Sequence, residues 1–318
     1  MYVNVILQAV ESVLTLFLIG ALGYILAAKS WFCEDTKAVL PRLVVEISLP
    51  PYLVYVISST ISREDLLGML SAISLPLVAL LLTFATSHAF VRVLNIPKGR
   101  RGIFKVAFTC PNTIYLGIPV NLALFGEAAL PYVLLFYLVN TIFFWTVGNY
   151  LVAKDSEQEK PPIFSLARLH AILSPPMAAT LCGLFLLLLD LNLPSFLLRT
   201  AEYLGNLTIP LILISMGITL QGMNLRTLRL DRELGAILLG RFFVSPLLML
   251  AISFLLPIPP LMRQVFVIQA SLPVITGMTA MANYHKVAPE FSTIIVTVST
   301  LLCIFTIPVY MVLVSFIG

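Results

Sequence analysis

The chain has 318 residues, 59% of them hydrophobic and 11% charged, with a formal net charge of +4. Its mean hydropathy is +1.02, which excludes an ordinary water-soluble domain, where about a quarter of residues are charged. The basic residues form no single face, so nucleic acid is not expected among the partners.

Apolar runs long enough to span a bilayer as helices recur from end to end. They cover roughly residues 4–28, 38–58, 68–91, 102–126, 129–152, 168–189, 197–221, 233–256, 263–284 and 291–316. None shows the period-2 alternation of strands. The expected architecture is an all-α membrane protein of ten transmembrane helices. The first run lacks a basic leader and carries Glu11, so it reads as a span rather than a cleavable signal peptide.

The positions of the charges orient the chain. Odd-numbered connections hold Lys29 and Lys37; Arg92, Lys98, Arg100, Arg101 and Lys105; Lys154, Lys160 and Arg168; Arg226, Arg229 and Arg232; and Lys286. Even-numbered connections hold only Arg63, Arg199 and Arg263. The positive-inside rule then makes the odd connections cytoplasmic and places both termini outside the cytoplasm, in the inner or plasma membrane.

The most hydrophilic stretch, Lys154 to Pro162, divides the runs five and five. Residues 1–153 form a first five-helix repeat, 154–167 a short cytoplasmic linker and 168–318 a second repeat. Five spans per half force opposite orientations, so the duplication is inverted. One constant shift puts Arg101 on Arg263, Phe104 on Phe266 and Pro111 on Pro273. A nearly equal shift puts Gly23 on Gly183 and Ile47-Ser-Leu-Pro50 on Leu207-Thr-Ile-Pro210. Pro76 and Pro246 match only if small insertions are allowed.

The fourth and ninth runs are interrupted at matching places. A proline within a helix removes one backbone hydrogen bond and pushes on the carbonyl four residues back. Pro111, Pro119 and Pro273 would therefore free the carbonyls of Ala107, Tyr115 and Gln269. In hydrocarbon such groups survive only where protein or a water-filled cavity covers them. Paired interruptions in two halves mark a transporter's binding site.

Pro111-Asn-Thr-Ile-Tyr-Leu-Gly-Ile-Pro119, followed by Leu124-Phe-Gly126, resembles the fourth-helix motif of the auxin efflux carrier family. Gln269-Ala-Ser-Leu-Pro273 resembles that family's ninth-helix motif. The chain lacks the long central loop of the plant carriers and is similar to the compact prokaryotic members. The resemblance implies two inverted five-helix repeats with broken, crossing helices four and nine, a fold of the bile-acid-symporter and sodium–proton-antiporter kind. Helices 1, 2, 6 and 7 would form a scaffold, with 3–5 and 8–10 as the moving transport helices. It implies an organic-anion substrate, and it places Asn112 on the family's substrate-contacting asparagine. Tyr137, Asn140 and Trp145 depart from the plant pattern, so ligand identity does not carry over.

The candidate substrate-binding residues are Asn112, Tyr137, Asn140 and Gln269. The amide of Asn112 can donate to a carboxylate, or else cap a half-helix. Tyr137 and Asn140 share one face of helix five and would line a cavity or bond between helices. Gln269 offers an uncharged amide just before the second break. The candidate crossover residues are Pro111, Gly117, Pro119, Pro273 and Gly277, the glycines permitting close approach of backbones or simple packing. Ser48 and Thr208 are expected to bond back to their own helices. Glu46 is the candidate for proton coupling, against a structural ion pair with Arg42 four residues earlier. Glu11, Glu202 and Arg241 are read as interfacial or paired with neighbours. Cys33, Cys110, Cys182 and Cys303 are isolated, so no disulfide, metal or cofactor is expected.

The function expected is secondary active transport of a small organic anion, auxin-like or a mono- or dicarboxylate, by an elevator-type mechanism. The alternative is a cation–proton antiporter of the same broken-helix architecture. That chemistry needs buried carboxylates beside the crossing, and residues 104–121 and 266–283 contain none. An intramembrane enzyme would need a nucleophile–base pair or a His-Glu metal motif, which the sequence lacks. The partners expected are the organic anion, the lipid bilayer and a second copy of the chain in a homodimer.

Overall fold

The computed structural model describes residues 2–60, 62–156, 174–222 and 231–316, leaving aside the side chains of 2–13, 17, 34–38, 60, 65, 70, 220 and 304. Most of the linker at 154–167 and the side chain of Glu11 fall outside these residues. In chain order the α-helices are α1 (Tyr2–Ala28), α2 (Glu34–Leu43), α3 (Leu49–Thr60), α4 (Arg63–Met69), α5 (Ser74–Val93), α6 (Arg101–Thr109), α7 (Gly117–Phe125), α8 (Leu130–Phe143) and α9 (Asn149–Lys154). They continue as α10 (Pro175–Leu188), α11 (Ser195–Asn206), α12 (Thr208–Gln221), α13 (Arg232–Leu239), α14 (Ser245–Ser253), α15 (Pro260–Ser271), α16 (Gly277–His285) and α17 (Pro289–Ser315). The described residues contain no strand, only one isolated antiparallel bridge between Pro111 and Val274.

Among the described residues, five continuous helices are long and apolar enough to cross a membrane: Val39–Ser59, Leu66–Val93, Glu127–Lys154, Ser195–Thr219 and Arg232–Ser253. A sixth follows if Pro289–Cys303 and Phe305–Ser315, bent by 51°, count as one span. Pro308 explains that bend, because it cannot donate to the carbonyl of Ile304. Large apolar side chains remain exposed on many helices, among them Phe185, Phe243, Leu247 and Phe305. Such a surface suits hydrocarbon rather than water.

Among the described residues, three π-helical turns interrupt long helices, at Val44–Ser48, Phe144–Gly148 and Gly240–Val244. Two directly precede proline-bearing segments, Leu49-Pro-Pro51 and Ser245-Pro246. A wider turn lets the helix continue past a missing N–H. At Pro246 the carbonyl four residues back is Phe242, and the Tyr310 hydroxyl donates to it. The structure gives no such cause for the turn at Phe144–Gly148.

The helices group into two compact units. The first comprises residues 1–71, 118–134 and 173–223, the second residues 72–117, 135–172 and 224–318. Each draws on both halves of the chain, and the division cuts the fourth apolar run after Gly117. In the first unit α1 packs on α12, and α3 packs on α10 and α11. The α1–α12 approach is backbone to backbone: a Cβ on Gly217 would overlap the Gly20 carbonyl, and one on Gly23 the Ile214 carbonyl. Small residues are what allow helices without a hydrophobic driving force to pack this closely. Ser48 and Thr208 meet in the same unit. The Thr208 hydroxyl donates to the Ser48 oxygen at 3.1 Å, while Ser48 bonds back to the Val44 carbonyl at 3.5 Å. The second unit packs a continuous core that includes Phe104, Phe108, Phe143, Phe144, Ile237 and Met278.

Gly217→Val is expected to destabilise the first unit by about 1–3 kcal/mol, the range for overpacking a close contact. Gly68→Ala, where an added Cβ meets nothing within 4 Å, serves as the neutral control. Thermal unfolding of the two variants in detergent checks this, and equal midpoints would contradict the assigned α1–α12 contact.

Candidate functional site: the crossing of two broken helices

Pro111 and Pro273 end their helices in the same way. The residue before a proline is pushed out of the helical region, and Cys110 (φ −92, ψ 114) and Leu272 (φ −68, ψ 155) are both extended. Helix α6 therefore stops at Thr109 and α15 at Ser271. The two extended segments pair antiparallel: the Asn112 N–H donates to the Pro273 carbonyl at 2.9 Å, and the Ile275 N–H to the Cys110 carbonyl at 3.1 Å. Each chain then resumes as a helix, at Gly117 and at Gly277.

The remaining freed groups are met by side chains brought from other helices. The Asn140 amide on α8 donates to the Pro111 carbonyl at 2.9 Å and the Thr113 hydroxyl at 3.3 Å. The Ser299 hydroxyl on α17 accepts from the Val274 N–H at 3.2 Å. The largest share falls to Arg241, which is 0% exposed on the π-helical turn between α13 and α14. It donates to the carbonyls of Phe108, Thr109, Ala270 and Leu272. Each helix C-terminus carries roughly half a negative charge, so two such ends offset one guanidinium. Among the described residues no carboxylate pairs with Arg241.

The predicted site residues distribute as follows. Asn112 is 2% exposed; its backbone N–H is held by Pro273 and its carbonyl accepts from the Gly117 N–H at 3.1 Å. Gln269 is fully buried, and neither its Oε1 nor its Nε2 has a protein partner. That amide lies against Gly117, where an added Cβ would sit 2.5 Å from Oε1. Asn140 and Tyr137 are both buried on α8, and the Asn140 Oδ1 also lacks a partner. Asn112, Asn140 and Gln269 thus converge on one crossing through Pro111 and Gly117.

The structure also bears on the other candidate residues. Pro119 is the third residue of α7, where a missing N–H costs nothing because helix starts leave such groups unbonded anyway. It opens a helix rather than breaking one. The glycines do not mediate backbone contacts: Gly117 faces the Gln269 side chain, and Gly277 the ring of Phe144 at 3.3 Å. Glu46 pairs with Arg42 at 2.9 Å, and both side chains are exposed, which is the ion pair the sequence offered beside a coupling role. Arg241, read from the sequence as interfacial or paired with a neighbour, is instead fully buried and bonded to the carbonyls of both broken helices. Its signal was present as one arginine inside an apolar run, a costly placement that calls for a specific partner. No His, Cys, Asp or Glu group able to hold a metal occurs among the described residues.

Asn140→Leu leaves the Pro111 carbonyl without its donor in a buried position. A loss of about 1–3 kcal/mol is expected, read as a lowered thermal midpoint of the purified protein. A midpoint equal to wild type would show that this bond does not hold the crossing.

Residues 8–311 match the family described as "Membrane transport protein". An "Uncharacterized transporter" of Methanothermobacter thermautotrophicus is 26% identical over 311 residues, covering 96% of this chain and 98% of that protein. A protein of Rhizobium meliloti named "Putative malonate transporter" is 27% identical over 302 residues, covering 93% of this chain and 92% of that protein. With a match across nearly its whole length, and with several helices apolar enough to span a bilayer, the chain is a multi-pass member of the membrane transport protein family, which is the auxin efflux carrier family.

Proposed function

We propose that this protein is a secondary transporter of a small organic anion, auxin-like or a mono- or dicarboxylate, with its substrate site at the helix crossing. The observation that carries this reading is the charge balance there. The negative ends of α6 and α15 are offset by Arg241. The positive ends of α7 and α16 have no acidic residue near them in sequence, since neither broken segment contains one. Helix N-termini attract anions, and the Gln269 amide, which has no protein partner, can donate with the Asn112 amide to a carboxylate. A relative named for malonate fits this substrate class.

The transport mode we propose is an elevator, with the second unit, which holds the Pro111–Val274 bridge, as the moving body. That both units draw helices from each half supports two inverted five-helix repeats. The basic connections favour an inner- or plasma-membrane protein with extracytoplasmic termini. A cation–proton antiporter is disfavoured because the ionised group at the crossing is a guanidinium, not a carboxylate.

Uptake of labelled malonate and indole-3-acetate into proteoliposomes tests the reading. Saturable uptake of at least one is expected, reduced by about tenfold or more in Asn112→Ala, the equivalent of one strong hydrogen bond to a charged group. Uptake unchanged by that substitution would remove Asn112 from the site. A response to Na⁺ or pH gradients alone, without any carboxylate, would favour the antiporter.

A further inference from the structure

Arg241 does more at the crossing than neutralise charge. Its Nη1 donates to the Thr109 carbonyl at 2.8 Å, the Phe108 carbonyl at 3.4 Å and the Ser245 hydroxyl at 3.5 Å. Its Nη2 donates to the carbonyls of Ala270 at 2.7 Å and Leu272 at 3.1 Å, and its Nε to Leu272 at 3.2 Å. One edge of the fork therefore serves the first broken helix and the other edge the second. A planar guanidinium can do this; a point-charge ammonium cannot reach both sets equally.

The ligands are as informative as the cation. They are neutral oxygens only: carbonyls of two unwound helix ends and one hydroxyl, converging on a monovalent positive charge. Unwound carbonyls and half-helix C-termini are also the ligands with which broken-helix carriers coordinate Na⁺, and hard cations take oxygen ligands of this kind. Here a covalently attached cation fills that cluster. A dissociable ion would leave these carbonyls unpaired during part of each cycle, whereas a tethered one keeps the two breaks joined throughout.

We propose that Arg241 is a built-in substitute for a coupling cation: its guanidinium occupies the carbonyl cluster of the crossing, so the carrier neither binds nor requires Na⁺ there. The inference rests on the crossing being the transport site, but its principal test does not depend on knowing the substrate. Any coupling energy must then enter elsewhere, as protons, exchange or membrane potential.

The experiment is a thermal unfolding series of the purified protein in NaCl, KCl and choline chloride, and in choline chloride with millimolar guanidinium chloride. Wild type is expected to melt at one temperature in all four. Arg241→Ala is expected to melt lower in choline chloride and to recover in a saturable way with guanidinium or with Na⁺. A wild-type midpoint that falls when Na⁺ is removed would overturn the proposal, as would an Arg241→Ala protein that matches wild type or that neither cation rescues. If Arg241→Ala does not fold, wild type decides alone, with uptake of the carboxylate in Na⁺-free choline buffer as the added measurement. Undiminished uptake supports the built-in cation, and a loss of about tenfold refutes it. Absence of any carboxylate uptake would instead fail the transport reading and leave the melting result to stand for itself.

Discussion

Every feature of the crossing follows from one constraint: a proline in a buried apolar helix releases carbonyl oxygens that must find donors. Two such breaks are brought together, and each supplies part of what the other lacks. The Asn112 and Ile275 amides serve the carbonyls of Pro273 and Cys110. What remains, the last carbonyls of α6 and α15, is gathered onto Arg241. A charge buried in this way would be prohibitive without compensation; two helix dipoles ending on it provide that compensation.

The same arrangement separates two electrostatic tasks. The C-terminal ends of the half-helices face an internal cation, so their negative potential is already matched. The N-terminal end of α7 retains its positive potential, next to the Gln269 amide, which has no protein partner. A buried amide without partners costs about 1–3 kcal/mol and is difficult to explain as a packing device. Its close fit against Gly117 makes glycine the residue that position needs. On the proposed reading, neutral donors in a positive field are what receives an anion.

Close packing in the first unit rests on a different means. Gly20, Gly23 and Gly217 let α1 and α12 touch through their backbones, and the Ser48–Thr208 hydroxyl pair joins positions that the repeat pattern matches. The prolines that follow these hydroxyls do not break the chain into half-helices. Before Pro50, the π-helical turn at Val44–Ser48 absorbs the disturbance, and α3 continues beyond it. A proline's consequence therefore depends on whether the helix can widen locally or must stop.

The sequence by itself determined the apolar runs, the places where the fourth and ninth runs fail, and the motif that marks the family. These are local properties: hydropathy accumulates along a run, and a proline acts on its own neighbour and on the residue four before it. The candidate amides Asn112, Asn140 and Gln269 were also visible, because polar side chains in such runs are few. Only the tertiary structure decided which groups answer the freed carbonyls. Arg241 reaches Thr109 across 132 positions and Leu272 across 31, and Asn140 reaches Pro111 across 29; no local pattern encodes such pairings. It also decided that Pro119 starts a helix and that Gly117 faces a side chain, because both depend on where the chain resumes after the break. Hydrogen-bond satisfaction is a requirement that each break states locally and the fold meets at a distance.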